Sequence, residues 1–128
     1  MYRSLLFSLV LAVSAPVVHA VETLRPSDLA DLSHVSFPKP HRVASGRLQA
    51  SDVLALKHAG IQQVIDLSAD RETPDFDEAA AMRAAGITYH NLPIHGAGDL
   101  TRERVVEFDQ LLRDAGAQET LVHCASSN

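Results

Sequence analysis

Residues 51–67, SDVLALKHAGIQQVIDL, hold one complete helix-to-strand unit. Ser51 offers an N-cap side chain, Leu54, Ala55 and His58 follow as helical positions, and Gly60 supplies a stop. Ile61–Leu67 is apolar and β-branched enough for a strand, with Gln62 and Gln63 at its entrance. The unit then repeats. Thr73-Pro74-Asp75 reads as a helix start, because proline fits a first turn and carboxylates suit that end. Alanines and Met82 continue to Ala85, Gly86 ends the helix, and Ile87–Leu92 forms the next strand, closed by Pro93. On the third pass Thr101 caps a helix through Val105, Phe108, Leu111 and Leu112, Gly116 ends it, and Glu119–Cys124 is the last strand. Upstream, Val43–Ser45 is a short strand before the Gly46 turn. Helices alternating with short apolar strands indicate an α/β fold: a mostly parallel central sheet with helices on both faces.

In such sheets ligands bind beyond the carboxyl ends of the strands. Three polar stretches fall there: 66–70, the His95-Gly96-Ala97-Gly98-Asp99 loop, and 123–128. Residues 21–42, with Pro26, Pro38 and Pro40, read as an irregular lead-in holding at most a helical turn at Asp28–Leu32.

The ends and the composition bound the setting. Residues 1–20 have the form of a signal peptide: Arg3, an apolar core from Leu5 to Val13 broken only by Ser8, and Val18-His19-Ala20 before a cut. The core is too short to cross a bilayer about 30 Å thick, so no stable membrane anchor is expected. Cleavage leaves one domain of 108 residues with 10 basic and 16 acidic side chains. No basic cluster stands out, which argues against nucleic acid as a partner. The single cysteine allows no internal disulfide, and the residues suggest no metal and no cofactor. The expected location is periplasmic.

Cys124 closes the last strand, and small polar residues follow it. A tight loop of backbone N–H groups there would stabilise a thiolate and bind an oxyanion. Attack of that thiolate on a phosphate monoester would give a phosphocysteine that water then hydrolyses. Asp99 is the best-placed general acid, in a glycine-flanked loop able to move over a substrate. His123 points to the face opposite Cys124 and orients the loop, while Asp66 reads as a loop organiser. A buried strand thiol, and a solvent-facing cap at Asp99, remain equally consistent with these residues.

The run from Arg42 to Asn128 resembles bacterial phosphatase-like proteins of the dual-specificity cysteine-phosphatase superfamily, and more narrowly the beta-lactamase hydrolase-like phosphatases. The likeness is carried by Arg42-Val43-Ala44-Ser45-Gly46, by Gly60–Leu67 as the family's GI-x-x-VI-[ND]-L strand, by Gly86–Ile94 before the acid loop, and by Val122-His123-Cys124. With the 1–20 signal peptide and the 21–42 irregular lead-in read above, the resemblance implies that 43–128 is a partial cysteine-phosphatase-like domain. It implies Cys124 as nucleophile, Asp99 as acid, and a phosphate loop of His123, Ala125, Ser126, Ser127 and Asn128. The substrate implied is a phosphate monoester or phosphoprotein. The superfamily signature places a glycine where Ser127 stands and an arginine beyond Asn128. The chain is therefore expected to be truncated within the phosphate-binding loop, to lack the C-terminal helices, and to have little or no turnover. Two other classes stay open: a non-catalytic periplasmic anion- or protein-binding domain, and a rhodanese-like sulfurtransferase carrying a persulfide on Cys124.

The signal reading predicts cleavage after Ala20. Mass spectrometry of the protein recovered from its host should give an N-terminus at Val21, and an intact Met1 would refute it.

Overall fold

The computed structural model describes residues 23–69 and 75–125. A 3-10 turn at Pro26–Leu29 precedes strands β1 (Ser36–Lys39) and β2 (Arg42–Ser45). Helix α1 (Asp52–Ala59), strand β3 (Gln63–Asp66), helix α2 (Glu78–Ala84) and strand β4 (Thr88–Asn91) follow. A second 3-10 turn at Ala97–Asp99, helix α3 (Arg102–Ala115) and strand β5 (Thr120–His123) complete the order. The strands form one sheet in the order β1-β2-β5-β3-β4. Only β1 runs antiparallel, to β2; the other three pairings are parallel. The expected α/β fold with a mostly parallel sheet is what forms.

Handedness distributes the helices. The crossovers from β2 to β3 and from β3 to β4 travel in one direction across the sheet, and that from β4 to β5 travels back. Right-handed connections then put α1 and α2 on one face and α3 on the other. Packing agrees. Leu56, Ala59 and Met82 join Val43, Val64 and Leu121 in one core, together with Leu29, Leu32, Ile61 and Ile87. Ile65, Leu92 and Ala115 are buried outside that cluster. The α3 side is the thinner one: Ala115 is the helix's one buried residue, and Val105 and Val106 are 53% and 59% exposed.

Two helices end by the same device. Ile61 N–H donates to Leu56 O at 3.0 Å and Gly60 N–H to Lys57 O at 3.2 Å; Ile87 N–H donates to Met82 O at 2.9 Å and Gly86 N–H to Arg83 O at 3.0 Å. Both are Schellman closures, with glycine φ of 90° and 78°. Each hands the chain to a buried isoleucine that opens the approach to a strand. The end of α3 is closed differently: Arg42 donates to Leu112 O in the last turn, to Gly116 O at the cap and to Gln118 O in the loop beyond.

Three details depart from the sequence expectations. Residues 23–42 are not irregular: they hold the 3-10 turn, strand β1, and Leu29 and Leu32 of the core. Ser51 does not cap α1, since its backbone is already helical; Asp52 Oδ2 instead accepts from Gln49 N–H at 2.8 Å. Helix α2 starts at Glu78, where Asp77 Oδ1 accepts from Ala80 N–H, and Asp75 lies in a turn before it. Thr73 and Pro74 lie outside the described residues, as does the whole signal segment. Thr101 does cap α3, accepting from Arg104 N–H. No helix among the described residues is long and apolar enough to cross a membrane.

Met82 is fully buried, so Met82→Ala should cost about 2–5 kcal/mol in urea unfolding. Val105→Ala, on the open side of α3, should stay within about 0.5 kcal/mol. Equal effects would contradict this assignment of the core.

Candidate active site

Parallel register aligns the carboxyl ends of four strands. Ser45, His123, Asp66 and Asn91 form one row across the sheet. Pleating directs that row to the α1–α2 face, and the next residues, Cys124 and Leu67, to the other. The row and its successors therefore build two separate sites.

On the α3 side a cavity of about 450 Å³ is lined by Leu67, Ile94, His95, Gly96, Ala97, Leu100 and Cys124. The ladder continues past the strands to hold its walls: Leu67 N–H donates to His123 O, Leu92 N–H to Asp66 O and Ile94 N–H to Leu67 O. The 95–99 loop is thus brought to the half-buried thiol of Cys124, as expected. Asp99 is placed otherwise. Its Oδ2 accepts from His95 N–H at 2.8 Å and from His95 Nδ1 at 2.9 Å, so the carboxylate closes the loop and does not line the cavity. The His95 backbone N–H, then the imidazole bond, hold the Asp99 carboxyl below its ordinary acidity range. Gly96, at φ 137°, lets the chain make this closure. Ala125 follows Cys124, while Ser126, Ser127 and Asn128 lie outside the described residues.

On the α2 side lies a buried polar cluster. His123 Nε2 is 2.7 Å from Glu78 Oε1 and 3.5 Å from Asp66 Oδ1, with side-chain exposures of 0–3%. Asp66 organises the strand ends, accepting from Ser68 N–H at 2.7 Å, Tyr89 O–H at 2.7 Å and Asn91 Nδ2 at 3.3 Å. A second cavity, of about 300 Å³, opens beside Asp66, Ser68, Glu78, Tyr89 and Asn91. His123 does point away from Cys124. Its partner Glu78 was not foreseen: a glutamate in a helix's first turn reads as a solvated charge favourable to the dipole. The one available signal is its i, i+4 relation to the core residue Met82.

No family model and no curated protein match the chain. Solved structures do. A phosphatase candidate of the DUF442 group from Shewanella putrefaciens CN-32 is 24% identical over 80% of this chain and 68% of its own, with a TM-score of 0.73. A phosphatase candidate from Neisseria meningitidis Z2491 is 26% identical over 69% and 64%, at 0.59. TpbA of P. aeruginosa is 21% identical over 84% and 60%, at 0.61. The kinase-associated phosphatase, solved with its catalytic-site cysteine substituted by serine, is 19% identical at 0.58. The chain thus shares the cysteine-phosphatase-like fold, and spans 55–68% of the length of these four structures.

A depressed carboxyl pKa stabilises the closed loop above the ordinary aspartate value of about 3.9, and this contribution is lost as pH falls through the lower folded value. Carboxyl NMR should show Asp99 titrating below that ordinary value, with the His95 amide losing exchange protection over the same range. Asp99→Asn should abolish the pH dependence. Protection of the His95 amide unchanged in Asp99→Ala, which removes the acceptor, would show that another contact closes the loop.

Proposed function

We propose that the chain carries the nucleophile half of a cysteine-dependent phosphoric monoester hydrolase. The observation that carries this reading is the thiol of Cys124 at the carboxyl end of the central strand, facing a cavity walled by the 94–100 loop. The phosphatase-like fold supports the reaction class, and the catalytic cysteine of the kinase-associated phosphatase supports the choice of group. In the proposed reaction the Cys124 thiolate attacks phosphorus and the P–O bond to the leaving group breaks. Asp99 gives its proton to that oxygen, and water then cleaves the S–P bond. Asp99 is held ionised by His95 in the free protein, so it must leave His95 and take up a proton. An approaching phosphate dianion favours the protonation by like-charge repulsion, and the neutral carboxyl, having lost its charge, is held less strongly by the His95 donors. His123, one residue before the nucleophile, fixes the base of the loop through Glu78. Phosphate esters or phosphoproteins of the periplasm are the proposed substrates.

Transferring phosphoryl charge calls for a guanidinium fork, and no arginine follows Arg113 in these 128 residues. The polypeptide by itself is therefore proposed to turn over slowly. The test compares it with a chimera that continues from Cys124 through the corresponding loop and helix of the Shewanella structure, using an aryl phosphate. The chimera should be faster by at least about 100-fold, and Cys124→Ser should abolish the gain. Equal turnover with and without the thiol would sink the nucleophile assignment, and sulfur transfer from thiosulfate in place of phosphate release would favour the sulfurtransferase. In the chimera Asp99→Asn should slow poor leaving groups more than good ones; a uniform loss would confine Asp99 to loop closure.

A further inference from the structure

Asp66, Glu78 and His123 each bring one donor atom to within 4.8 Å of the others, and all three are buried. We propose that this cluster binds a single divalent transition ion of the zinc class, on the opposite face of the strand ends from Cys124. The site owes nothing to the chemistry proposed at the thiol and stands or falls separately.

Two observations meet here. The first is composition: two carboxyl side chains converge on one imidazole where side chains are at most 3% exposed, and buried groups of this kind are paired or hold a metal. The second is unsatisfied polarity. Glu78 Oε2 and Ser68 Oγ are buried without a hydrogen-bond partner, and both residues line the 300 Å³ cavity beside Asp66. A dication held by the three donors would give the Glu78 carboxylate, whose Oε2 has no partner, a charge-balancing contact at the cavity. Ligation through Nε2 would leave the proton on His123 Nδ1, a buried donor without a partner, and that is a cost the site would bear.

The donor set and geometry name the class of ion. Nitrogen and carboxylate ligands sit about 2.0–2.2 Å from zinc, which spaces tetrahedral donors roughly 3.4 Å apart. Asp66 Oδ1 and His123 Nε2 already stand 3.5 Å apart. Glu78 Oε1, at 2.7 Å, has to retreat by about 0.7 Å, and its carboxylate borders the cavity. The bonds from Ser68 N–H, Tyr89 O–H and Asn91 Nδ2 to Asp66 are the outer support that fixes a ligating carboxylate. Calcium would want six to eight oxygens, and magnesium an octahedron of oxygens, which an imidazole-containing triad does not offer. An ion here would join β3, α2 and β5 at the base of the loop that carries Cys124.

The test uses the full chain as Cys124→Ser, so that no thiol contributes, stripped with a chelator and dialysed against zinc. Elemental analysis should find one zinc per chain. Affinity should fall at least tenfold in Asp66→Asn and Glu78→Gln and be unchanged in His41→Asn, which alters a remote histidine–carboxylate pair. Zinc should raise the Tm of the Cys124→Ser chain. If the cluster variants fail to fold, cobalt decides. Cobalt bound to the Cys124→Ser chain should show the intense visible bands of a tetrahedral N/O site. Absence of stoichiometric zinc, binding undiminished in folded Asp66→Asn or Glu78→Gln, or a weak octahedral cobalt spectrum would overturn the proposal.

Discussion

The structure depends on the insertion of β5, the last strand among the described residues, between β2 and β3. Without it, the β1–β2 hairpin and the β3–β4 pair share no hydrogen-bonded edge. Its pairings on both sides run in unbroken register, Arg42 to Ser45 against Thr120 to His123 and Gln63 to Asp66 against the same four residues. A one-residue slip would exchange the buried Leu121 and His123 for Val122 and Cys124. The register that fills the core is thus the one that turns the thiol toward the 94–100 loop.

The same alternation gives neighbouring residues opposite surroundings. Cys124 meets an apolar-walled cavity with a glycine-bearing loop, while His123 meets two carboxylates under α2. The anchoring of His123 restrains the strand end from which Cys124 projects. Polar atoms on the α2 side are costly to bury and need partners, and several partners are supplied by β4 through Tyr89 and Asn91. The edge strand is thereby tied to the centre of the sheet by side chains as well as by its ladder.

Much of this was legible in the sequence. Gly60 and Gly86, each followed by an isoleucine, mark two identical helix closures, and the apolar runs after them are strands, because local stop chemistry and burial agree there. Strand β1 was not legible. Ser36–Lys39 is exposed throughout and contains Pro38, so its extended form comes from pairing with β2 at the sheet edge, a tertiary cause. The start of α2 was misread because Pro74 suits a first turn in general, whereas Asp77 supplies the cap. At the site, Cys124 and the loop it faces followed from strand-end position. The buried cluster did not: Asp66, Glu78 and His123 lie 12 and 45 residues apart, a spacing no short ligand motif has. Asp99 could be placed in its loop from sequence, but not turned toward His95, since that depends on the loop's own hydrogen bonds.

The central claim is that chemistry at this strand end passes through sulfur. It is tested most directly by acid-quenching the chimera with the Shewanella loop and helix during turnover of an aryl phosphate and mapping the covalent adduct by mass spectrometry. The account predicts one phosphoryl group, on the peptide that contains Cys124. A phosphoryl group on a histidine or aspartate peptide, or turnover with no adduct on any peptide under conditions where release of the aryl group is fast, would contradict it.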